Sequence, residues 1–385
     1  MSIVTLVTTL MITAPMLPQQ PESLEPKVKV FILAGQSNME GHGQVHSLDI
    51  LGEHPIHGHH LQALKADDGS WAVRDDVTIA WASKPQQHGP LTVGWGYGEN
   101  EIGPELLFGT IMGDRFDQPV LLIKTAWGGK DVYCDFRSPS AGEPNEDEAA
   151  LLERQTADGN TRIAGTYYTK MLNEITTCLE HIDLHVPGYS EQGYELAGMA
   201  WFQGWNDYCQ WHVEIDGKAV GSGIIETYPA TLAAMFKDLR SDLKTPDLPI
   251  VIGEMGIGGT KMSERAKNPG DREACAIMAF RRAQEAVSNI PTLDGVVYVS
   301  TEEYWDDRLE QLRRQADEYR QEKKRMGIKD TDANTLPTPE LTREFHSRGG
   351  HWYCHYNGSA SNYSLIGMTL AEALLSMEHR DPTSP

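Results

Sequence analysis

Three apolar runs, far apart in the chain, each end in residues able to take part in acyl transfer. Phe31-Ile32-Leu33-Ala34 leads into Gly35-Gln36-Ser37-Asn38, Ile123-Lys124-Thr125-Ala126 into Trp127-Gly128-Gly129, and Ala200-Trp201-Phe202 into Gln203-Gly204-Trp205-Asn206-Asp207. The first offers a hydroxyl, the second a flexible pair of backbone N–H groups, the third side-chain amides. A nucleophile with neutral donors aimed at a developing oxyanion is the equipment of acyl transfer. The further requirement is a base, and His355 supplies one on a loop before the last apolar helical run. Gly35–Ser37 alone is weak evidence, because Ser and Asn populate turns for their own hydrogen bonds. The three segments together carry the reading.

The elements that must hold these residues alternate. Residues 28–33, 120–125, 196–202, 250–253 and 296–300 are candidate strands, mostly continuous apolar runs that suit a parallel sheet covered on both faces. Between them lie amphipathic helices. Ala164, Tyr167, Met171, Ile175, Cys178 and Ile182 share one face, as do Leu232, Met235, Phe236, Leu239 and Leu243. A last helix is expected over 365–377. This alternation predicts a three-layer α/β/α sandwich with functional loops at the carboxyl ends of the strands. Residues 40–75, rich in Gly and His, read as a long loop beside the first strand. Residues 302–349 read as a charged helical surface insertion, with Leu309, Leu312, Ala316 and Tyr319 as its apolar stripe and a polar loop following.

Composition narrows the function. The 385 residues carry 33 Lys+Arg against 55 Asp+Glu, a net charge of −22, with 40% hydrophobic residues. That is a globular composition. The acidic balance argues against nucleic acid as a partner, since counterion release needs basic side chains on the binding face. No run approaches the ~18 apolar residues of a membrane span. Residues 1–27 comprise an apolar stretch and a linker, with two readings: the core of an export signal lacking a basic start, or a short strand or tail. The first reading places the protein in the periplasm or outside the cell, the second in the cytoplasm. Five cysteines are too few for a disulfide scaffold and have no C-x-x-C spacing.

Gly35-Gln36-Ser37-Asn38-Met39, Ile102-Gly103-Pro104-Glu105-Leu106, Ala126-Trp127-Gly128-Gly129, Trp201-Phe202-Gln203-Gly204 and the His355 segment occur in one order. In them the chain resembles the SGNH (GDSL-like) hydrolases, and among these the sialate O-acetylesterase-like carbohydrate esterases, from about residue 28 to 378. The resemblance implies a flavodoxin-like parallel sheet in one domain over 28–380, and a serine esterase acting on O-acetylated carbohydrate without a cofactor or metal. It implies Ser37 as nucleophile and His355 as general base. The N–H groups of Ser37 and Gly129 become oxyanion donors, with Asn206 or Gln203 as the third. Gln36, Asn38, Trp127 and Trp205 become candidates for substrate contact.

One position departs from that pattern. The superfamily places an Asp three residues before the catalytic His, and here Trp352 stands there. Either His355 works in a dyad, oriented by a backbone carbonyl, or a carboxylate arrives from another loop, with Glu254 and Asp207 as candidates. The departure keeps open a non-catalytic carbohydrate-binding homologue, and a lipase or thioesterase on the same fold is a further alternative. Trp95, Trp127, Trp205 and Trp211 flank the motif loops and could stack on sugar rings or simply pack the loops. His351 is the rival base. His54, His57, His59 and His60 lie in a Gly/Pro-broken loop and read as solvated rather than as zinc ligands. Cys134, Cys209 and Cys354 each follow a motif, so in an exported protein one pair could form a disulfide.

Overall fold

The computed structural model describes residues 26–328 and 335–378. The apolar stretch read as an export signal lies outside them. Seven strands build the main sheet: β1 (Val28–Gly35), β2 (Arg74–Ala80), β3 (His88–Leu91), β4 (Val120–Ala126), β5 (Tyr194–Phe202), β6 (Ile250–Gly253) and β7 (Val296–Val299). Their order is β3-β2-β4-β1-β5-β6-β7, and all neighbours are parallel except the hairpin β2/β3. The five strands β4-β1-β5-β6-β7 follow the flavodoxin-like order 2-1-3-4-5, in which the chain reverses direction across the sheet on either side of β1.

Register places the chemistry. Gly35 pairs with Ala126 on one side and Phe202 on the other, so β4, β1 and β5 end level with one another. The three motif loops therefore leave adjacent strands at one edge, around the switch point where ligands bind in such sheets.

Eight helices of ten residues or more are described: α1 (Glu105–Arg115), α2 (Glu146–Ala157), α3 (Thr166–Glu180), α4 (Val220–Asp242), α5 (Arg272–Ser288), α6 (Asp307–Arg325), α7 (Pro339–Arg348) and α8 (Ala360–Glu378). Side chains alternate across a strand, and β5 shows which helix covers which face. Gly198 lies against Leu374 of α8, whereas Trp201 packs edge-on against Phe236 of α4. α1 and α8 pack together on the first face, and α4 and α5 together on the other. The expected sandwich is present.

Two regions differ from the sequence expectation. Residues 40–75 are not a loop throughout: after the helical turn Ser37–Glu40 they contain one strand of a two-residue ladder (Gly43–Gln44 with Glu101–Ile102), a 3₁₀ helix (Val45–Glu53) and a further helical turn (His60–Ala63) before β2. β2 begins with Arg74-Asp75-Asp76 and β3 contains Gly89 and Pro90, so neither reads as an apolar run. Pro is tolerated in β3 because that strand is at the sheet edge. In the insertion, Leu309, Leu312 and Ala316 of α6 bury themselves against Leu336 and Phe345, the latter on α7, in a small core of their own. Tyr319 is half-buried outside that core, with Lys323 4.3 Å over its ring.

Candidate active site

Ser37 opens the helical turn that follows β1. The turn can start only because residue 35 is Gly: a Cβ there would lie 2.2 Å from the Phe202 carbonyl oxygen. Ser37 is nearly buried, and among the described residues neither its hydroxyl nor its N–H has a hydrogen-bond partner. Gly129, on the loop after β4, has φ 76°, and its N–H is equally unengaged. The place a Cβ would take on neighbouring Gly128 is 3.8 Å from Ser37 Cβ and 3.0 Å from Glu40 Oε2. The Gly128 backbone faces the Glu40 carboxylate. Burial raises the Glu40 carboxyl above the usual range although His42 and Lys124 pull the other way. Glu40 thus ties the glycine loop to the Ser37 turn, a role that no sequence signal beyond its place in the same turn announced.

Gln203 is fully engaged; Gln36 is engaged through its oxygen alone, its Nε2 being buried without a partner among the described residues. Gln36 Oε1 accepts from Gly204 N, Asn206 N and Gln203 Nε2, each at 3.2 Å. Gln203 Nε2 also donates to Asp207 Oδ2 at 2.5 Å and to the Lys130 carbonyl at 3.1 Å, while its Oε1 accepts from Tyr228. Its amide is committed to the scaffold. The Asn206 side chain is half-buried and has no partner among the described residues. Asn38 joins the first loop to the last, donating to the Cys354 carbonyl at 3.0 Å and accepting from Tyr363 at 2.8 Å. This contact, rather than substrate, occupies its amide.

His355 stands on a sharp turn. Tyr356 and Asn357, with φ of 51° and 52°, both occupy the left-handed region that non-glycine residues rarely adopt. The turn is held by the Gly256 N–H donating to Tyr356, by Asn357 donating to Glu310 Oε2 on α6, and by the His351 N–H donating to the Asn357 carbonyl. The His355 ring is buried and its Nδ1 has no hydrogen-bond partner. The ring lies flat on His42, with centroids 3.9 Å apart and planes 8° apart, and also stacks with His351 at 5.3 Å and Trp352 at 5.8 Å. Burial, then the neighbouring His42 and His351, push its pKa down to about 3, against the pull of Glu101. His42 Nδ1 is 3.5 Å from Glu101 Oε2. Glu101 also accepts from Gly98 N and Gln44 Nε2, and its pKa falls to about 2, these bonds outweighing its burial.

The two carboxylates expected to orient His355 are elsewhere. Asp207 is wholly buried, accepting from Val132 N, Tyr133 N and Gln203. Burial and nearby Asp131 hold its carboxyl well above the usual range. Glu254 accepts from Tyr298, Ser300, Thr301 N and Glu302 N. Both carboxylates serve strand-end loops, and neither bonds the His355 ring.

The tryptophans divide. Trp95 and Trp127 are buried, with their indole N–H groups on Pro90 O and Ser83 Oγ, and pack loops. Trp205 and Trp211 are half-buried, and Trp205 meets Tyr353 at 6.0 Å. All five cysteines are free thiols, so no disulfide joins Cys134, Cys209 or Cys354. In the 54–60 run the ring nitrogens serve the local turn, His54 Nδ1 accepting from His57 N and His59 Nδ1 bonding Ile56 O. Among the described residues, His42, His351 and His355 bring ring nitrogens within 4.8 Å of one another. Lone pairs lie in the ring planes, so the parallel rings of His42 and His355 cannot both point at one ion in this arrangement.

Comparison with known proteins bears on the same residues. No curated protein matches the chain. A protein of known structure from Arabidopsis thaliana is 18% identical, with a TM-score of 0.43, over 91% of this chain and 99% of that one. A carbohydrate acetylesterase from Xanthomonas citri is 14% identical, with a TM-score of 0.45, over 90% of this chain and 55% of that one. Residues 27–303, which include the Ser37, Gly129 and Asn206 loops but end before His355, match the family described as carbohydrate esterase, sialic acid-specific acetylesterase. The chain belongs to that family of carbohydrate esterases.

Proposed function

We propose that the protein is a serine esterase that removes O-acetyl groups from carbohydrate hydroxyls through an acetyl-Ser37 intermediate. The observation that carries this reading is the convergence, at level strand ends, of an unengaged hydroxyl (Ser37), two unengaged N–H groups (Ser37, Gly129) and an unengaged amide (Asn206), beside the His355 loop. Ser37 Oγ attacks the acetyl carbonyl and His355 takes its proton. The three donors hold the oxyanion. The tetrahedral intermediate collapses, and the sugar oxygen leaves with the proton from His355. Water then attacks acetyl-Ser37, His355 again accepting a proton, and the second tetrahedral intermediate collapses to acetate as His355 returns that proton to Ser37 Oγ.

The stack on His42, itself anchored by Glu101, supports an account of how His355 works without the usual Asp. His42 and Glu101 are positioning residues: the flat contact fixes the plane of the imidazole, and the Glu101 negative charge favours the positive charge His355 gains in the step. Hydrolysis of p-nitrophenyl acetate by wild type, Ser37→Ala and His355→Ala, followed from pH 4 to 9, tests the reading. Both variants should fall to background. Because His355 remains an unprotonated base down to about pH 3, the wild-type rate should persist at pH 4–5, where an ordinary imidazole would be protonated. Acetyl should be preferred to octanoyl. A folded wild type inactive across the range would replace this reading with that of a carbohydrate-binding homologue. Its motivation is the missing carboxylate at His355 Nδ1.

A further inference from the structure

The charged insertion borders the candidate site. Between α6 and the turn carrying His351, Trp352 and Tyr353 lies a cleft of about 350 Å³, lined also by Arg313, Asp317 and Arg320. That volume is within the ~300–1,000 Å³ of small-molecule sites. One wall is aromatic. Trp352 and Tyr353 form it, Trp352 being 70% exposed; Tyr97, 64% exposed and outside the cleft lining, is the other aromatic side chain among the large hydrophobic groups left in solvent by the described residues. Both lie on the histidine group, Trp352 against His351 and His355, Tyr97 against His42. An exposed indole has a cost in water that a covering apolar face removes. The other wall is polar and already ordered. Asp317 accepts from Arg313 Nη1 at 2.6 Å and from Arg320, Arg313 lies 5.1 Å over the Tyr353 ring, and Glu310 accepts from Arg313.

We infer that this cleft is a saccharide subsite, in which a neutral pyranose of the substrate stacks on Trp352 while Arg320 and Asp317 hydrogen-bond its hydroxyls; the inference rests on the esterase reading above. Three features select that chemistry. A pyranose presents an apolar C–H face to an aromatic ring and hydroxyls at its rim, which matches one aromatic and one polar wall. Both guanidiniums in the cleft are paired with a carboxylate, so donors and acceptors are mixed and, among the described residues that line it, no unpaired guanidinium is left to capture an acid. The chain carries −22 overall, which further disfavours an anionic sugar. The place where the superfamily keeps its Asp then holds a residue that joins the base to substrate recognition.

The test is calorimetric binding of acetylated xylotetraose and of a methyl 9-O-acetylsialoside to Ser37→Ala, which cannot turn them over. Xylotetraose should bind more tightly than the sialoside. Added Trp352→Ala should weaken it about tenfold, with Trp352→Phe recovering most of the loss, and Arg320→Ala should weaken it by about threefold or more. Both side chains are exposed enough that either variant keeps the fold. Failure of both sugars to bind at millimolar concentration, or binding indifferent to Trp352→Ala and Arg320→Ala, overturns the subsite, and tighter binding of the sialoside overturns its neutral character. These outcomes are independent of whether wild type hydrolyses an acetyl ester, so the subsite and the esterase reading fail separately.

Discussion

Gln203 and Asn206 carry the same donor group three residues apart, and the sequence could not choose between them because their chemistry is identical. The partners that separate them come mostly from distant parts of the chain: Gln36, Lys130, Asp207 and Tyr228 occupy Gln203, while the Asn206 side chain has none among the described residues. The two should fail differently. Asn206→Ala is expected to lower kcat on p-nitrophenyl acetate by about 10²–10³, with its urea midpoint unchanged. Gln203→Ala orphans several buried groups at once, each costing roughly 1–3 kcal/mol, so its main effect should be a stability loss of about 3 kcal/mol in urea. Equal kcat losses without destabilisation of either would show that both amides reach the oxyanion. The types and order of Ser37, Gly129 and His355 were legible from motif resemblance. The histidine stack was not, because His42, His351 and His355 are brought together only by tertiary structure, and Trp352 could be read only as an absent Asp.

At the scale of elements, the continuous apolar runs of β1, β4, β5, β6 and β7 announced a buried parallel sheet because both of their faces are covered. The β2/β3 hairpin was hidden by its polar start and by the Gly and Pro that an edge strand tolerates. The helix-opening Glu105 was visible as part of a motif, but its role was not. It is fully buried with Lys124 of β4, 2.8 Å away, and its other oxygen accepts the Gly103 N–H. Lys124 also donates to the carbonyls of Glu40 and Trp95, so this one ammonium joins α1, β4 and the Ser37 turn. Breaking such a pair leaves an uncompensated buried charge, which typically costs about 3–5 kcal/mol. Glu105→Ala should lose that much in urea unfolding. A Glu105→Leu/Lys124→Met double variant should recover only part of it, since two backbone carbonyls would then lack their donor. Full recovery would mean that the pair, rather than its links to the turn, carries the stabilisation.

For the molecule as a whole, buried ionisable groups put opposed demands on one fold. His355 is held as a neutral base with its pKa near 3, and His351 is likewise lowered by burial. Asp131 is pushed up to about 6 by burial, and Asp207 is raised with it. Their signs under acid are opposite. An unfolded imidazole binds a proton near pH 6.5 and folded His355 only near 3, so between those values the unfolded chain holds more protons. The stability from this group is complete above about pH 6.5 and is lost as pH falls toward 3. For Asp131 the folded state takes the proton first, near 6, so a penalty present at neutral pH is relieved as pH falls from about 6 to 3.8. The overall acid profile mixes these contributions, but a variant without the imidazole separates them. Between pH 7.5 and 4.5, His355→Gln should gain about 2 kcal/mol on wild type in urea unfolding, two pH units below the unfolded pKa at 1.36 kcal/mol each, less some solvent relaxation. A gap between the two proteins that stays constant across that range would mean that folded His355 takes up its proton as readily as the unfolded chain does. The stack on His42 would then not keep the base neutral, and the activity expected at pH 4–5 would have to vanish with it.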